Sequence, residues 1–447
     1  MKQRSDLAAF KSHYVLGLLF ATYAFSFIDR QILGVLVGPV KADLDITDFQ
    51  FSLLQGAAFA LLYSVVGLPL GRLADRASRK KIIGIGVLVW SFATAGSGIA
   101  RNFTQLFAMR MLVGAGEAAL APAASSIITD LYPRDKLTTA MSIFKAGVVV
   151  GSGMALILGG RLYDYFTTFG QLRFMGIELA PWQATFMAVG APGLVLATLI
   201  MITGEPARRG LLKVAGQDTA AEMSLGAVMR YMFKEHRTLY GCLFGGCSLL
   251  AIVSYGFSSW FTETLIRTFA MSRGDAGTLY GMTVIGSGLM GIAFAPILVG
   301  FFLRQRHIDA NMRALLWLCL GLLPTAALAP QMPDYRAALV LVAGFGFFQA
   351  AYIGVAAAAV QMVTPNQLRG LATALYLFSV NMMGLAIGSS VVAGLTDFVF
   401  EDESAVRHSL TAVAACLLPL AALLFWKGLP AFAQAIKDSD QWSDSPS

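Results

Sequence analysis

Five ionisable side chains fall inside stretches of sequence that are otherwise apolar: Asp29, Arg30, Arg110, Glu117 and Lys145. A charge placed in hydrocarbon costs several kcal/mol, so such groups turn inward and find partners. Counting about 1.5 Å per residue along a helix, Arg110 falls level with Asp29 and Arg30, and Lys145 level with Glu117. That depth ordering predicts two ion pairs, Asp29 with Arg110 or Arg30, and Glu117 with Lys145. The chemistry such pairs support is proton exchange coupled to anion binding. Burial favours the neutral form of a carboxyl and a neighbouring guanidinium favours the charged form, so a carboxylate that loses its partner takes up a proton. Asp29 and Glu117 are therefore the candidate proton sites, and Arg30, Arg110 and Lys145 the candidate contacts for an anion. Three cations against two carboxylates leave one positive charge in excess, which an anionic headgroup would neutralise. Purely structural ion pairing is the competing role.

The elements that carry these residues follow from composition. The chain has 447 residues, 57% hydrophobic and only 13% charged, against about a quarter charged in an average soluble protein. This excludes a soluble enzyme, a disordered chain and a nucleic-acid-binding domain. A bilayer core needs roughly 20 apolar residues per helix, and twelve such runs centre near Ala24, Leu61, Leu88, Ala115, Val150, Gly193, Leu250, Gly288, Leu320, Gly354, Leu385 and Leu417. The expected architecture is an all-α membrane protein of twelve transmembrane helices in two six-helix pseudo-repeat bundles, over 1–203 and 238–430. A linker over 204–237 joins them, and a polar cytoplasmic tail occupies 431–447. In the linker Leu225, Val228, Met229 and Met232 fall at helical spacing and predict an amphipathic helix on the membrane surface, unless it is a plain linker helix.

Charge supplies orientation. Placing both termini inside puts 22 of the 33 Lys and Arg residues on the inner side, eight outside and three within the spans, the bias expected of cytoplasmic loops. The net charge of +7 is thus topology, and no nucleic-acid partner is expected. An internal repeat is visible: Gly114, Glu117, Ala118, Ala119 and Pro133 match Gly346, Gln349, Ala350, Ala351 and Pro365 at one constant offset. Duplicated halves place a substrate site near the membrane midplane between them and support alternating access. The second half shows no charge deep in a span. Its candidate substrate contacts are Tyr255, Trp260, Gln349, Tyr352 and Asn381, with ordinary helix packing the competing role for each aromatic. Gln349 stands where Glu117 stands in the first half and cannot titrate. The four histidines lie at segment edges or in loops and the four cysteines form no Cys-x-x-Cys pair. No metal or cofactor is therefore expected, and no nucleophile–base set points to an enzyme.

The stretch Gly71-Arg72-Leu73-Ala74-Asp75-Arg76-Ala77-Ser78-Arg79-Lys80 resembles the cytoplasmic-loop signature of the major facilitator superfamily, with Ser78 in place of the second glycine. The resemblance implies the major facilitator fold and a conformational latch carried by Gly71, Asp75, Arg76 and Arg79. Phe25-Ser26-Phe27-Ile28-Asp29-Arg30-Gln31 and Arg110-Met111-Leu112-Val113-Gly114-Ala115-Gly116-Glu117-Ala118 resemble the first- and fourth-helix signatures of Spinster-like transporters. Trp182-Gln183 departs from the Trp-Arg common there. This resemblance implies a proton-coupled secondary transporter, driven by a proton gradient, that moves an anionic amphiphile of sphingolipid or lysophospholipid type. A proton-coupled symporter of organic anions such as sugar acids is the alternative, and a non-transporting membrane receptor or sensor is the alternative of another class. The expected setting is a bacterial inner membrane with both termini cytoplasmic, the partners being the small substrate and membrane lipids, and the expected state a monomer.

Overall fold

The structure is a computed structural model that describes residues 2–170, 172–174, 176–206, 229–365 and 368–440. A backbone in lipid must satisfy its own polar groups, and helices do so within one segment. Each of the twelve apolar runs accordingly lies in a helix. Among the described residues eleven helical stretches are long and apolar enough to cross a membrane. Arg79–Ser97, which opens on three basic residues, is the further long helix. A short antiparallel ribbon pairs Leu172–Phe174 with Ile177–Leu179, its turn made possible by Gly176 at φ +83. In the linker, 207–228 lie outside the described residues, and with them Leu225 and Val228. Met229 precedes a single π-helical turn, Tyr231–Glu235. The last helix, Val406–Asp440, runs on through 431–440.

The chain divides into two compact units, Met1–Leu212 with Leu265–Ile285, and Lys213–Thr264 with Gly286–Ser447. In the first, Arg79–Ser97 packs on Pro181–Ile202 and on Phe103–Glu117, and Lys2–Gln31 packs on Arg134–Thr167. In the second, Ala310–Leu328 packs on Tyr335–Met362 and on Val406–Asp440. Small residues permit this closeness. A Cβ on Gly151 would stand 2.1 Å from the Ala24 carbonyl oxygen, and one on Gly114 2.3 Å from that of Phe59.

Two helices of the first unit end where the charged residues sit. Lys2–Gln31 gives way to a 3-10 turn at Ile32–Val35, just after Asp29 and Arg30. Phe103–Glu117 ends at Glu117 itself, and Leu120–Leu131 follows. In the second unit the eleventh run is widened twice into π-helix, at Met382–Gly388 and at Thr396–Phe400.

The basic run at the start of Arg79–Ser97 is built into the first unit. Arg79 is 1% exposed. Its guanidinium pairs with Asp130 and, at 3.1 Å, with Glu205, and also donates to Ser126 Oγ at 3.0 Å and the Pro206 carbonyl at 3.0 Å. Lys80 donates to the carbonyls of Met201 and Thr203, closing the end of Pro181–Ile202 as a cation does at a helix C-terminus. Gly71, Asp75 and Arg76 belong to the helix Ala57–Arg76, and the latch expected of their side chains lies outside the described structure. Burial pushes the Glu205 carboxyl up, but hydrogen bonds from Ser78 Oγ, Arg79 Nε and the Arg79 amide outweigh it and hold it below its ordinary value.

Two outcomes follow for thermal unfolding of the purified protein. Gly151→Ala forces two helices apart and lowers stability by about 1–3 kcal/mol, the usual range for overpacking. Gly354→Ala, whose added Cβ meets nothing within 4 Å, leaves stability unchanged or slightly raised. A carboxyl held low in the folded state stabilises above its unfolded pKa of about 4.3, and that contribution disappears as pH falls through the folded value. Glu205→Gln therefore melts below the wild type at pH 7, and the gap closes as the pH falls below about 4.

Candidate functional site

The charged residues meet inside the first unit, where the broken ends of two helices face each other. Arg30, on the last turn of Lys2–Gln31, donates from Nη2 to Glu117 Oε2 at 2.5 Å, with side-chain exposures of 9% and 1%. Aromatic rings enclose the guanidinium, whose central carbon lies 4.5 Å from the Phe27 ring, 4.2 Å from Phe59 and 5.3 Å from Tyr63. Ring faces attract a cation and exclude water, so the pair sits in a setting where its attraction is little screened. The second Glu117 oxygen is buried and has no hydrogen-bond partner among the described residues.

The pairing differs from both sequence expectations. Glu117 holds Arg30 and not Lys145. Residue counting fixes depth along a helix but not the direction a side chain takes around it, and the breaks after Gln31 and Glu117 reset that direction. Lys145 instead places Nζ 5.3 Å from the Tyr23 ring and 5.6 Å from Phe144. It is an exposed side chain with no carboxylate partner among the described residues. Arg110 does not reach the Asp29 carboxylate either. It is fully buried and donates to the main-chain carbonyls of Asp29, at 3.0 Å, and Arg30, at 3.3 Å. These belong to the last helical turn, whose carbonyls lack partners within their own helix. Arg110 thus caps the broken first helix and positions Asp29 and Arg30.

Asp29 is fully buried, and the Thr94 hydroxyl is the one side-chain hydrogen-bonding group found at its carboxyl among the described residues. The charges of Arg110 and Glu117 lie within interaction range. Sequence reasoning passed over Tyr23, Phe27, Phe59 and Tyr63, because an aromatic in an apolar run carries no signal separating a ring around a guanidinium from one in the core.

A second ionic cluster in the same unit joins Val37–Leu44, the start of Asp48–Gln55 and the end of Arg237–Phe269. Asp48, fully buried, accepts from Lys41 Nζ at 2.5 Å and from Arg267 at 2.7 Å and 2.9 Å.

In the second unit Trp260 is enclosed and donates its indole N–H to the Ser389 carbonyl at 3.0 Å. Tyr352 is 4% exposed, and Tyr255 packs against Gly384. Gln349 and Asn381 are half-buried, and neither amide has a hydrogen-bond partner among the described residues; Asn381 leads into the first π-helical stretch. One expectation is corrected here: Glu263, in the helix Arg237–Phe269, is 3% exposed, so the second half does bury a charge within a span. It lies about 9 Å from the helix end at 1.5 Å per residue, and its spacing of four from Arg267 was the available signal. No group of three His, Cys, Asp or Glu able to hold a metal occurs among the described residues.

Helices long and apolar enough to cross a membrane, with ionic groups buried among them, define an integral membrane protein. Residues 19–389 match the family model of the Major Facilitator Superfamily, and the chain belongs to that superfamily. It is similar, at 24% identity over 92% of its length and 91% of the relative's, to an MFS-type efflux pump of Mycolicibacterium smegmatis. It is 24% identical over 63% of its length to the sphingosine-1-phosphate transporter SPNS2 of Danio rerio, a match spanning 55% of that protein. A probable L-galactonate transporter of Escherichia coli is 31% identical over 36% of each chain. Among solved structures, a bacterial homologue of the human lysosomal transporter Spinster superposes with a TM-score of 0.74 at 24% identity, covering 98% of this chain and 99% of that one. The last likeness concerns the fold.

Arg110→Met leaves two buried helix-end carbonyls without donors. It lowers stability by about 2–4 kcal/mol, the cost of two unsatisfied groups. Lys145→Met breaks no hydrogen bond and changes stability little. Thermal unfolding of the two variants side by side checks this.

Proposed function

We propose that this chain is a proton-coupled secondary transporter of an anionic, lipid-like amphiphile, of the sphingolipid or lysophospholipid type, working by alternating access in a bacterial inner membrane with both termini cytoplasmic. The observation that carries the reading is the Arg30–Glu117 pair, buried among aromatic rings beside Lys145, a cation with no carboxylate of its own among the described residues. Lys145 and Arg30 offer an anion two positive charges, and Tyr23, Phe27, Phe59, Tyr63 and Phe144 offer apolar surface for the chain behind it. An anion that draws Arg30 away leaves Glu117 buried and uncompensated, an arrangement too costly to persist as a charge, so the carboxyl takes up a proton. Asp29, fully buried beside the Thr94 hydroxyl, is tolerated as the neutral acid. Likeness to the SPNS2 protein supports the lipid-like substrate.

A second reading, a proton-coupled symporter of a sugar-acid type of organic anion, is favoured by the likeness to the probable L-galactonate transporter. It uses the same cations but needs no apolar chain. Gln349 and Asn381, with free amides, are the second-unit groups best suited to a neutral polar part of either substrate.

Proteoliposomes loaded with a pH-sensitive dye test the assignment. Lysophosphatidylglycerol and D-galactonate are supplied in turn. The lipid is expected to drive proton movement in wild type. Asp29→Asn and Glu117→Gln are expected to abolish it, and Lys145→Ala to weaken apparent substrate affinity about tenfold or more, a loss of about 1.4 kcal/mol. Proton movement driven by galactonate and not by the lipid selects the second reading. Unchanged coupling in both carboxyl variants rejects the assignment.

A further inference from the structure

Four cations gather in the second unit where the helix Arg237–Phe269 begins: Arg230, Lys234, Arg237 and Lys427. The π-helical turn Tyr231–Glu235, which carries Lys234, is held in place. Met232 is fully buried, and the Tyr231 ring lies 4.5 Å from His236 and 6.2 Å from Tyr240. The His236 amide donates to the Tyr231 carbonyl at 3.0 Å. Phe233 is exposed, and its ring meets Phe244 edge-on at 6.4 Å. The last helix passes alongside in the opposite direction. A Cβ on Gly246 would stand 2.5 Å from the Phe425 ring, and one on Gly428 3.0 Å from the Cys242 Cβ. Lys427 acts electrostatically on Cys242, and Arg237 lies about 7.5 Å nearer the helix start at 1.5 Å per residue. A lysine runs its stem over apolar surface and carries its ammonium toward water, which can bring Lys427 to the level of Arg237.

The acids nearby are occupied. Glu235 pairs with Arg230 at 3.7 Å, and Asp438, which acts on Tyr231, accepts from Gln434 at 2.8 Å. Lys234, Arg237 and Lys427 are exposed and have no carboxylate partner among the described residues. Beside them the last helix shows an apolar strip. Leu420, Leu423 and Trp426, all exposed, follow at three-residue steps and lead from Lys427 into the span. Tryptophan and lysine together mark the level where headgroups meet hydrocarbon. Charge and strip thus adjoin: unpaired cations at the headgroup level, and a strip along the helix that only acyl chains can cover. Basic clusters immediately outside a span attract anionic lipid.

We propose that this end of the second unit binds one anionic phospholipid, its phosphate held among Lys234, Arg237 and Lys427 and an acyl chain lying along Leu420, Leu423 and Trp426. The buried Met232 and the stacked Tyr231 fix the turn, so Lys234 and Arg237 are presented together. Complementary charge selects the headgroup, and the strip distinguishes a lipid from a free phosphate.

Native mass spectrometry of the purified full chain, with dioleoylphosphatidylglycerol and dioleoylphosphatidylcholine offered in equal amounts, tests the site. Wild type is expected to retain the anionic lipid at least tenfold better. The double variant Lys234→Gln/Lys427→Gln should lose about 25-fold of that affinity, about fivefold per cation, and bind phosphatidylcholine as before. Trp426→Ala should weaken both lipids alike. Arg306→Gln, which removes an exposed cation beyond the helix Arg273–Arg304, should stay within twofold of wild type. So should Lys145→Ala, in the first unit. Raising the salt concentration checks the unaltered chain: it should lower retention of phosphatidylglycerol and spare phosphatidylcholine. Equal retention of the two lipids by wild type overturns the site, as does an unchanged preference in the double variant. A loss as large in Arg306→Gln or Lys145→Ala also overturns it, because the lipid would then be held by general charge or at the Arg30–Glu117 pair. Inorganic phosphate competing as well as phosphatidylglycerol overturns the assignment to a lipid.

Discussion

A guanidinium and a carboxylate taken out of water together constrain most of what surrounds them. Desolvating two ions is expensive, and their attraction repays it only with good geometry. Here the Arg30–Glu117 contact is short and ring faces cover the cation. Losing either partner would strand the other in a dry interior. In the proposed function the pair is a two-state element: intact, or broken with a compensating charge supplied by a substrate anion on one side and a proton on the other.

The surrounding backbone is shaped to hold that element. The first helix breaks directly after Arg30, and the fourth run breaks at Glu117. Helix ends expose carbonyls that need donors, and Arg110 serves two of them while fixing the direction in which Asp29 and Arg30 point. Gly114, pressed onto the Phe59 backbone, brings that phenylalanine and the Glu117 helix close enough for the ring to cover Arg30. Arg79 and Lys80 tie helix ends together by bonding carboxylates and terminal carbonyls. These contacts tie the helix ends of the first unit together around the pair.

Much of the architecture was legible in the amino-acid order. Apolar run length is dictated by bilayer thickness, so the helices could be counted, and charge depth isolated Asp29, Arg30, Arg110, Glu117 and Lys145 as a group. Their partners were not legible. Depth is one coordinate, and a helix break changes the azimuth, which is why Glu117 found Arg30 and Lys145 was left with Tyr23 and Phe144. Arg110 proved to bond backbone, a role that residue type cannot announce. Glu263 was overlooked because it lies near the end of its run. The π-helical stretches around Gly384 and Phe398 leave no mark in hydropathy at all.

The central claim is that anion binding frees Glu117 to take a proton. Calorimetric titration of the purified protein with lysophosphatidylglycerol, whose phosphodiester charge does not change near neutral pH, measures this directly when repeated in buffers of different ionisation enthalpy. The account predicts net proton uptake on binding in wild type and a clear reduction in Glu117→Gln. Binding with no proton exchanged, or with uptake unchanged in Glu117→Gln, would contradict it.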